Sequence, residues 1–390
     1  MEKRAKKKSS GTDHPMSFRE LVALACERPT ANIPEFMRSY VGWNGLVFES
    51  LEDQDKPRIG LTEIARQPGL AAWAMPVSHE YKLGLPVLSV DILPKVRELS
   101  LKKAALTLHA VHQDWNVRNY HPAIAPSHRT WHRDAEGRRV VATAPDAVIF
   151  NGDDRRVIFP QGYPWHCVGR IESEAGTPMG SAALVGRDLV LTARHCLQRT
   201  AFTMIKFVPA FFDGYSTLGC TFFSWVKSVT HYEGSEEGAW DFALLRLYQP
   251  VGDSLGFFGV RTYNDSWDDL PVWTNVGYPS MSPFDNLRPS HLAGIEINDS
   301  SSSGSALELI SDNQDSSRGN SGGPLWAIWQ PGPYIVGVNS CIRETDYGPF
   351  GTDLMVVNAG GKAMVDLVGV ARLEIDTDIH VKPPNINMGG

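Results

Sequence analysis

The spacing of apolar residues changes character near residue 148. Beyond it the apolar positions fall into short runs, at 148–150, 182–185, 189–192, 242–247 and 335–338, each bounded by Gly, Pro, Asp or Asn. Runs of that length with such borders predict strands. Gly186-Arg187-Asp188, between two of them, predicts a hairpin turn. Many short strands with no helical pattern between them predict an all-β barrel or sandwich rather than a parallel sheet. One late helix is expected at roughly 361–370. Ahead of residue 148 the pattern predicts a mainly helical segment. Ser17 followed by Glu20 forms a capping box before Leu21, Val22 and Leu24. Val96, Leu99, Leu101, Ala105, Leu106, Leu108 and Val111 recur among Lys and Glu and predict a helix over about 95–115. Residues 1–15 begin with five Lys or Arg in eight and read as a solvated tail, as do residues 371–390 at the other end. Residues 121–147, with Pro122, Pro126 and Pro145, read as a linker or exposed arm.

Composition supports a folded chain: of 390 residues, 42% are hydrophobic and 21% charged, so the low-apolar, high-charge signature of disorder is absent. The net charge of −7 argues against a nucleic-acid binder and hides an asymmetry. Residues 1–147 carry 21 Lys and Arg against 17 Asp and Glu (+4), whereas residues 148–390 carry 16 against 27 (−11). No stretch approaches the roughly 18 uninterrupted apolar residues of a membrane span, so no membrane partner is expected. The basic N-terminus lacks the apolar core of a secretory signal. Five cysteines, Cys26, Cys167, Cys196, Cys220 and Cys341, are too few and too unevenly spaced for a disulfide framework or a CxxC zinc site. His109, His112, His121, His128 and His132 have no Cys or paired carboxylate at ligand spacing and read as solvated histidines, so no metal is expected.

Three segments of the β-rich part carry groups suited to acyl transfer. A serine hydroxyl is a poor nucleophile at neutral pH; it needs an adjacent base, a carboxylate to orient that base, and donors for the developing oxyanion. In chain order the candidates are His195 in LVLTARHCL, Asp241 in AWDFALLRL and Ser321 in RGNSGGPLW. Gly319, Gly322 and Gly323 around one serine predict a tight turn with backbone N–H groups free to meet a ligand.

These segments resemble the trypsin-like serine proteases of the chymotrypsin fold: TARHC resembles the motif around the general base, DFALLRL that around the orienting carboxylate, and GNSGGP the nucleophile loop. VIFNGDDRRVIFPQGYPW, with its Val-Ile start and Asp154-Arg155 pair, is similar to the mature start of glutamyl endopeptidases and their bacterial and fungal relatives. The resemblance implies two packed six-stranded β-barrels, at about 148–255 and 265–360, within a protease domain of 148–370 that ends in a helix. It implies a serine endopeptidase acting on protein or peptide substrates, with catalytic His195, Asp241 and Ser321, an oxyanion hole from the N–H groups of Gly319 and Ser321, and no cofactor. A pseudoprotease that keeps the fold as a binding module is the alternative.

Residues 16–147 then stand in the place of a propeptide, with Ala147–Val148 as the bond to be processed and intramolecular inhibition through opposite charges as its action; a retained regulatory region is the other reading. Members of the family are mostly secreted, yet no signal is visible here, so the compartment stays open. Asn320 stands where animal trypsins have an Asp, so the ion pair with a new amino terminus cannot form. Arg194, beside the base, is expected to reach solvent or to lower the imidazole pKa. Cys196 lacks its usual disulfide mate, which would fall near Gly180. For the substrate pocket the resemblance points to Asp315, Ser316 and Asn339: Asp315 would favour Lys or Arg, although in relatives with the same D-x-x-x-G-N-S-G loop this Asp need not face the pocket. Asn339 replaces the histidine that helps glutamyl endopeptidases bind a carboxylate, so the resemblance favours neither preference.

Overall fold

The apolar runs beyond residue 147 become strands of two large sheets in a computed structural model. It describes residues 13–17, 20, 47–49, 94–99, 110–111, 141–144, 147–150, 152–160, 162–197, 204–219, 222–233, 237–329, 332–346 and 352–374. In the first sheet Ile205–Pro209, Val168–Ser173, Pro178–Leu184, Leu189–Thr192, Ala243–Leu247 and Ser224–Tyr232 pair in that order, all antiparallel. The last strand returns to the first, Trp225 opposite Lys206, and closes a six-stranded barrel. Closure pairs the edges that an open sheet would leave bare. Ile171, Leu184, Val190, Phe207, Val229 and Leu245 are buried inside it. The predicted hairpin is present, with Val185 N–H donating to Leu189 O at 2.8 Å.

The second sheet has eleven strands. Its main path runs Val47–Glu49, Arg156–Phe159, Ser290–Ile295, Trp273–Gly277, Pro324–Trp329, Gly332–Asp346, Thr352–Gly361, Ala306–Ser311, Asp299–Ser303, and Gly259–Arg261 branches from Gly332–Asp346 to meet Ala110–Val111. This differs from a second six-stranded barrel: among the described residues the pairings form an open path, lengthened by strands from ahead of residue 148. Arg156–Phe159 also belongs here, not to the first barrel, because Val157 pairs with Ser290. The core is aromatic, with Tyr263, Trp267, Trp273, Trp329 and Tyr334 meeting at centroid distances of 5.3 to 6.1 Å. The C-terminal helix Lys362–Leu373 runs three residues past its expected end and crosses to the first barrel. There Arg372 donates to Val185 O (2.6 Å) and Phe258 O (2.9 Å), and Arg246 donates to Ala371 O (2.9 Å).

The expected helix over 95–115 is corrected where it is described: Lys95–Leu99 is a strand lying parallel to the far half of Ser224–Tyr232, and Ala110–Val111 is a strand too. Val96 is 52% exposed. The charged run therefore serves as a solvent-facing edge supported by ladder hydrogen bonds, which a search for a buried stripe cannot detect. Ser17 and Glu20 do make the capping contacts, Ser17 N–H and Oγ each donating to Glu20 Oε2 at 2.7 Å. Met16 N–H donates to Ile328 O (2.7 Å) and Asp13 pairs with Arg261, so these two residues contact the second sheet. The helix beyond Leu21, the histidines at 109–132, Cys26 and Cys220 lie outside the described residues. Among those described, no helix is long and apolar enough to cross a membrane and no cluster of three His, Cys, Asp or Glu is placed to hold a metal.

Candidate active site

His195 lies in the 3-10 turn Arg194–Leu197 that follows the barrel strand Leu189–Thr192. Asp241 caps a second 3-10 turn, Gly238–Trp240, just ahead of Ala243–Leu247. The two strands are barrel neighbours, with Ala243 opposite Thr192, so the sheet register sets the turns side by side. Asp241 is fully buried and is met by three donors: His195 N–H (2.9 Å to Oδ1), His195 Nδ1 (2.7 Å to Oδ2) and Ser340 Oγ (2.6 Å to Oδ2). A buried carboxylate must be satisfied in this way. Desolvation opposes charge on His195, but the hydrogen bond to Asp241, the contact with Cys196 and the Asp241 charge outweigh it and hold the imidazole pKa above its ordinary value.

The Ser321 turn is packed against the same barrel. Ser181 N–H donates to Ser321 O (2.8 Å), Ser181 Oγ donates to Gly319 O (2.7 Å), and Gly322 leaves no room for a Cβ beside Thr192 and Ala193, the residues leading into His195. Gly319 is held at φ 95°, its Cα facing Tyr278 O so closely that a side chain cannot fit. Within the turn the N–H groups of Asn320, Gly322 and Gly323 donate to Ser317 O, Asn339 O and Asn320 O at 2.8 to 2.9 Å. Those of Gly319 and Ser321 meet no acceptor among the described residues. No hydrogen bond joins Ser321 Oγ to His195; His195 Nε2 instead faces Cys196 Sγ at 3.8 Å. Cys196 is a free thiol lying 2.6 Å from where a Cβ on Gly180 would stand, which accounts for its missing disulfide mate.

The remaining sequence-derived residues divide. Ser316 and Asn339 are buried together, with Asn339 Nδ2 donating to Ser316 Oγ (3.1 Å). Asp315 is buried apart from them in function: its carboxylate accepts Phe150 N–H (2.8 Å) and Asp154 N–H (3.0 Å) and so ties down the strand Ala147–Phe150. Ala147 and Val148 sit in that strand, 6% and 0% exposed, paired on one side with Val141–Ala144 and on the other with Ser316–Ser317. Arg194 takes neither expected route, since Glu98 from the added edge strand meets it at 3.4 Å. Sequence reasoning missed Ser340, in the strand Gly332–Asp346, whose neighbour Asn339 drew attention instead. It also left Arg155 without a role.

A family model, Trypsin, matches residues 156–352, more than half of the chain, and the chain belongs to the trypsin family of serine proteases. Glutamyl endopeptidase of Bacillus licheniformis is a relative, 28% identical over 145 residues, which span 35% of this chain and 45% of that protein. Similar solved structures include a Glu endopeptidase (17% identity, TM-score 0.43, 57% of this chain and 99% of that one). Another is protease Anisep from Arthrobacter nicotinovorans (20% identity, TM-score 0.36, 50% of this chain and 90% of that one).

Proposed function

We propose that the protein is a serine endopeptidase that cleaves peptide bonds through an acyl-enzyme. The observation that carries this reading is the pair of N–H groups, Gly319 and Ser321, left without acceptors among the described residues in a turn whose N–H groups at Asn320, Gly322 and Gly323 are engaged and which packs against Thr192 and Ala193, the residues leading into the hydrogen-bonded His195–Asp241 pair. In this reading Ser321 Oγ attacks the scissile carbonyl while His195 Nε2 takes its proton. Asp241 fixes the tautomer that leaves Nε2 able to accept. The carbonyl oxygen, now an oxyanion, enters the site of the two N–H groups. His195 returns the proton to the leaving amine, and a water activated by the same nitrogen releases the acyl group. Binding of substrate must turn Ser321 Oγ toward Nε2, since catalytic hydrogen bonds often close only in the complex.

The substrate pocket in this account is neutral. In it Ser316 and Asn339, hydrogen-bonded to each other, supply a hydroxyl and an amide, and the Asp315 carboxylate accepts the backbone N–H groups of Phe150 and Asp154, so a preference for Lys or Arg resting on Asp315 is not expected. The N-terminal segment stays attached, because Ala147–Val148 is buried within a paired strand and Lys95–Leu99 completes the barrel edge beside Arg194. Incubation of the full-length protein and of its Ser321→Ala variant with an unfolded protein substrate tests the reading. Peptide fragments from the first and none from the second are expected; a folded wild-type chain that yields none favours a non-catalytic binding module.

A further inference from the structure

Arg155 is one of the largest fully buried side chains in the molecule, and its contacts converge on the residue before the nucleophile. Nη1 donates to Asn320 Oδ1 (3.0 Å) and to Ser317 Oγ (2.7 Å). Nε and Nη2 donate to the two oxygens of Asp153 at 2.9 and 2.7 Å, and the guanidinium lies 5.3 Å from the Phe284 ring centroid. Asn320 in turn donates from Nδ2 to Asn275 Oδ1 (3.4 Å) and Ser290 Oγ (3.3 Å), on the two strands under the turn. Taking a guanidinium out of water is costly, and an apolar side chain of similar volume often stabilises a fold as well or better. What an apolar side chain cannot supply is a rigid fork of donors.

We infer that Arg155 is a positioning residue for the nucleophile turn, an inference that rests on the protease reading above. Asp153 holds the fork from its solvent side, and the fork holds the amide of Asn320. The Asn320 side chain fixes the peptide units on either side of it, whose N–H groups are those of Asn320 and Ser321. With Gly319 already constrained by φ 95° and its packing on Tyr278, the oxyanion donors are aligned before substrate arrives. The cation is a side chain seven residues beyond Val148, so the alignment needs no new amino terminus at Val148, which lies inside a strand.

The test uses full-length protein bearing Arg155→Gln or Arg155→Lys. With the fold intact by near-UV circular dichroism, R155Q is expected to lose about 100-fold in kcat, the scale of a misplaced oxyanion donor, with KM little changed. Added guanidinium should restore part of that loss and methylammonium should not, a response that a merely structural role does not give. R155K should lie between. A folded R155Q with wild-type kcat, or one rescued equally by both cations, overturns the inference. Should R155Q fail to fold, Asp153→Asn decides, because its side chain is 27% exposed: about a fivefold loss of kcat at unchanged KM is expected, and wild-type kcat overturns the inference. A wild-type chain without turnover sinks the protease reading itself, whereas turnover in the wild type with an indifferent R155Q sinks only the role of Arg155.

Discussion

The two halves of the site are held by different physics. On the barrel side a single buried carboxylate gathers the proposed base: Asp241 takes three hydrogen bonds, two of them from His195, and against desolvation its hydrogen bond, with the Cys196 contact and its own charge, holds the imidazole pKa above its ordinary value. On the side of the second sheet the side chain of Asn320, in the proposed nucleophile turn, is held by the guanidinium of Arg155 and by neutral amide, hydroxyl and backbone groups. Ser321 is placed by backbone, by glycines at positive φ, and by a neutral amide held under a buried cation whose charge is matched farther out, at Asp153. The base side depends on one strong charge, the nucleophile side on a network of weaker directional bonds.

That contrast can be broken most severely at Asp241. Asp241→Asn keeps the shape but removes the charge and favours the wrong tautomer, and kcat/KM is expected to fall by about 10⁴ with the fold retained; a steady-state assay with a peptide ester checks it. On the other side Gly319→Ala places a methyl group against Tyr278 O and is expected to displace one oxyanion donor, for a loss of about 10² to 10³ in kcat. The same assay separates the sides further, because G319A should leave the pH dependence of kcat/KM in place while D241N lowers the pKa of His195.

Asp315 belongs to the scaffold in this account. Asp315→Ala removes the acceptor of the buried Phe150 N–H and of the half-buried Asp154 N–H and is expected to cost about 2 kcal/mol of stability, read by denaturant unfolding. Residue preference should not change; selective loss of cleavage after Lys and Arg would put Asp315 in the pocket after all. The smallest effect concerns acid. Burial pushes the His166 imidazole down to about 4, against the opposing hydrogen bond to Leu255 O, and the His291 imidazole down to about 3. Each histidine is neutral when folded and takes a proton when unfolded below about 6.5, so stability is full above that pH and declines as pH falls toward the folded values. Tm should therefore drop from about pH 6.5 downward, and His166→Asn should make the decline shallower.

The sequence carried the barrel side well. TARHC and DFALLRL place one ionisable residue at the end of one strand and another at the start of a second. The pairing that aligns them, Ala243 opposite Thr192, is non-local and is not reported by the hairpin signal at 186–188, which joins Pro178–Leu184 to Leu189–Thr192. GNSGGP announced its turn because glycines report the backbone directly. The Arg155 network was not legible, since a buried Arg and an exposed one look alike until the chain brings Ser317 and Asn320, more than 160 residues away, against it. Lys95–Leu99 was misread because an edge strand with a 52% exposed Val96 has no buried stripe, and helical spacing then fits by default. The resemblance pointed to Asp315 for the pocket, but what its carboxylate meets depends on where the strand Ala147–Phe150 lies.

The central claim, that Ser321 is an activated nucleophile in the uncut chain, is tested most directly by intact-mass spectrometry after treatment with a fluorophosphonate. One adduct per full-length molecule is expected, mapped to Ser321 and absent in S321A and after prior denaturation. A folded full-length chain that stays unlabelled, or that is labelled only once cleaved at Ala147–Val148, would contradict it.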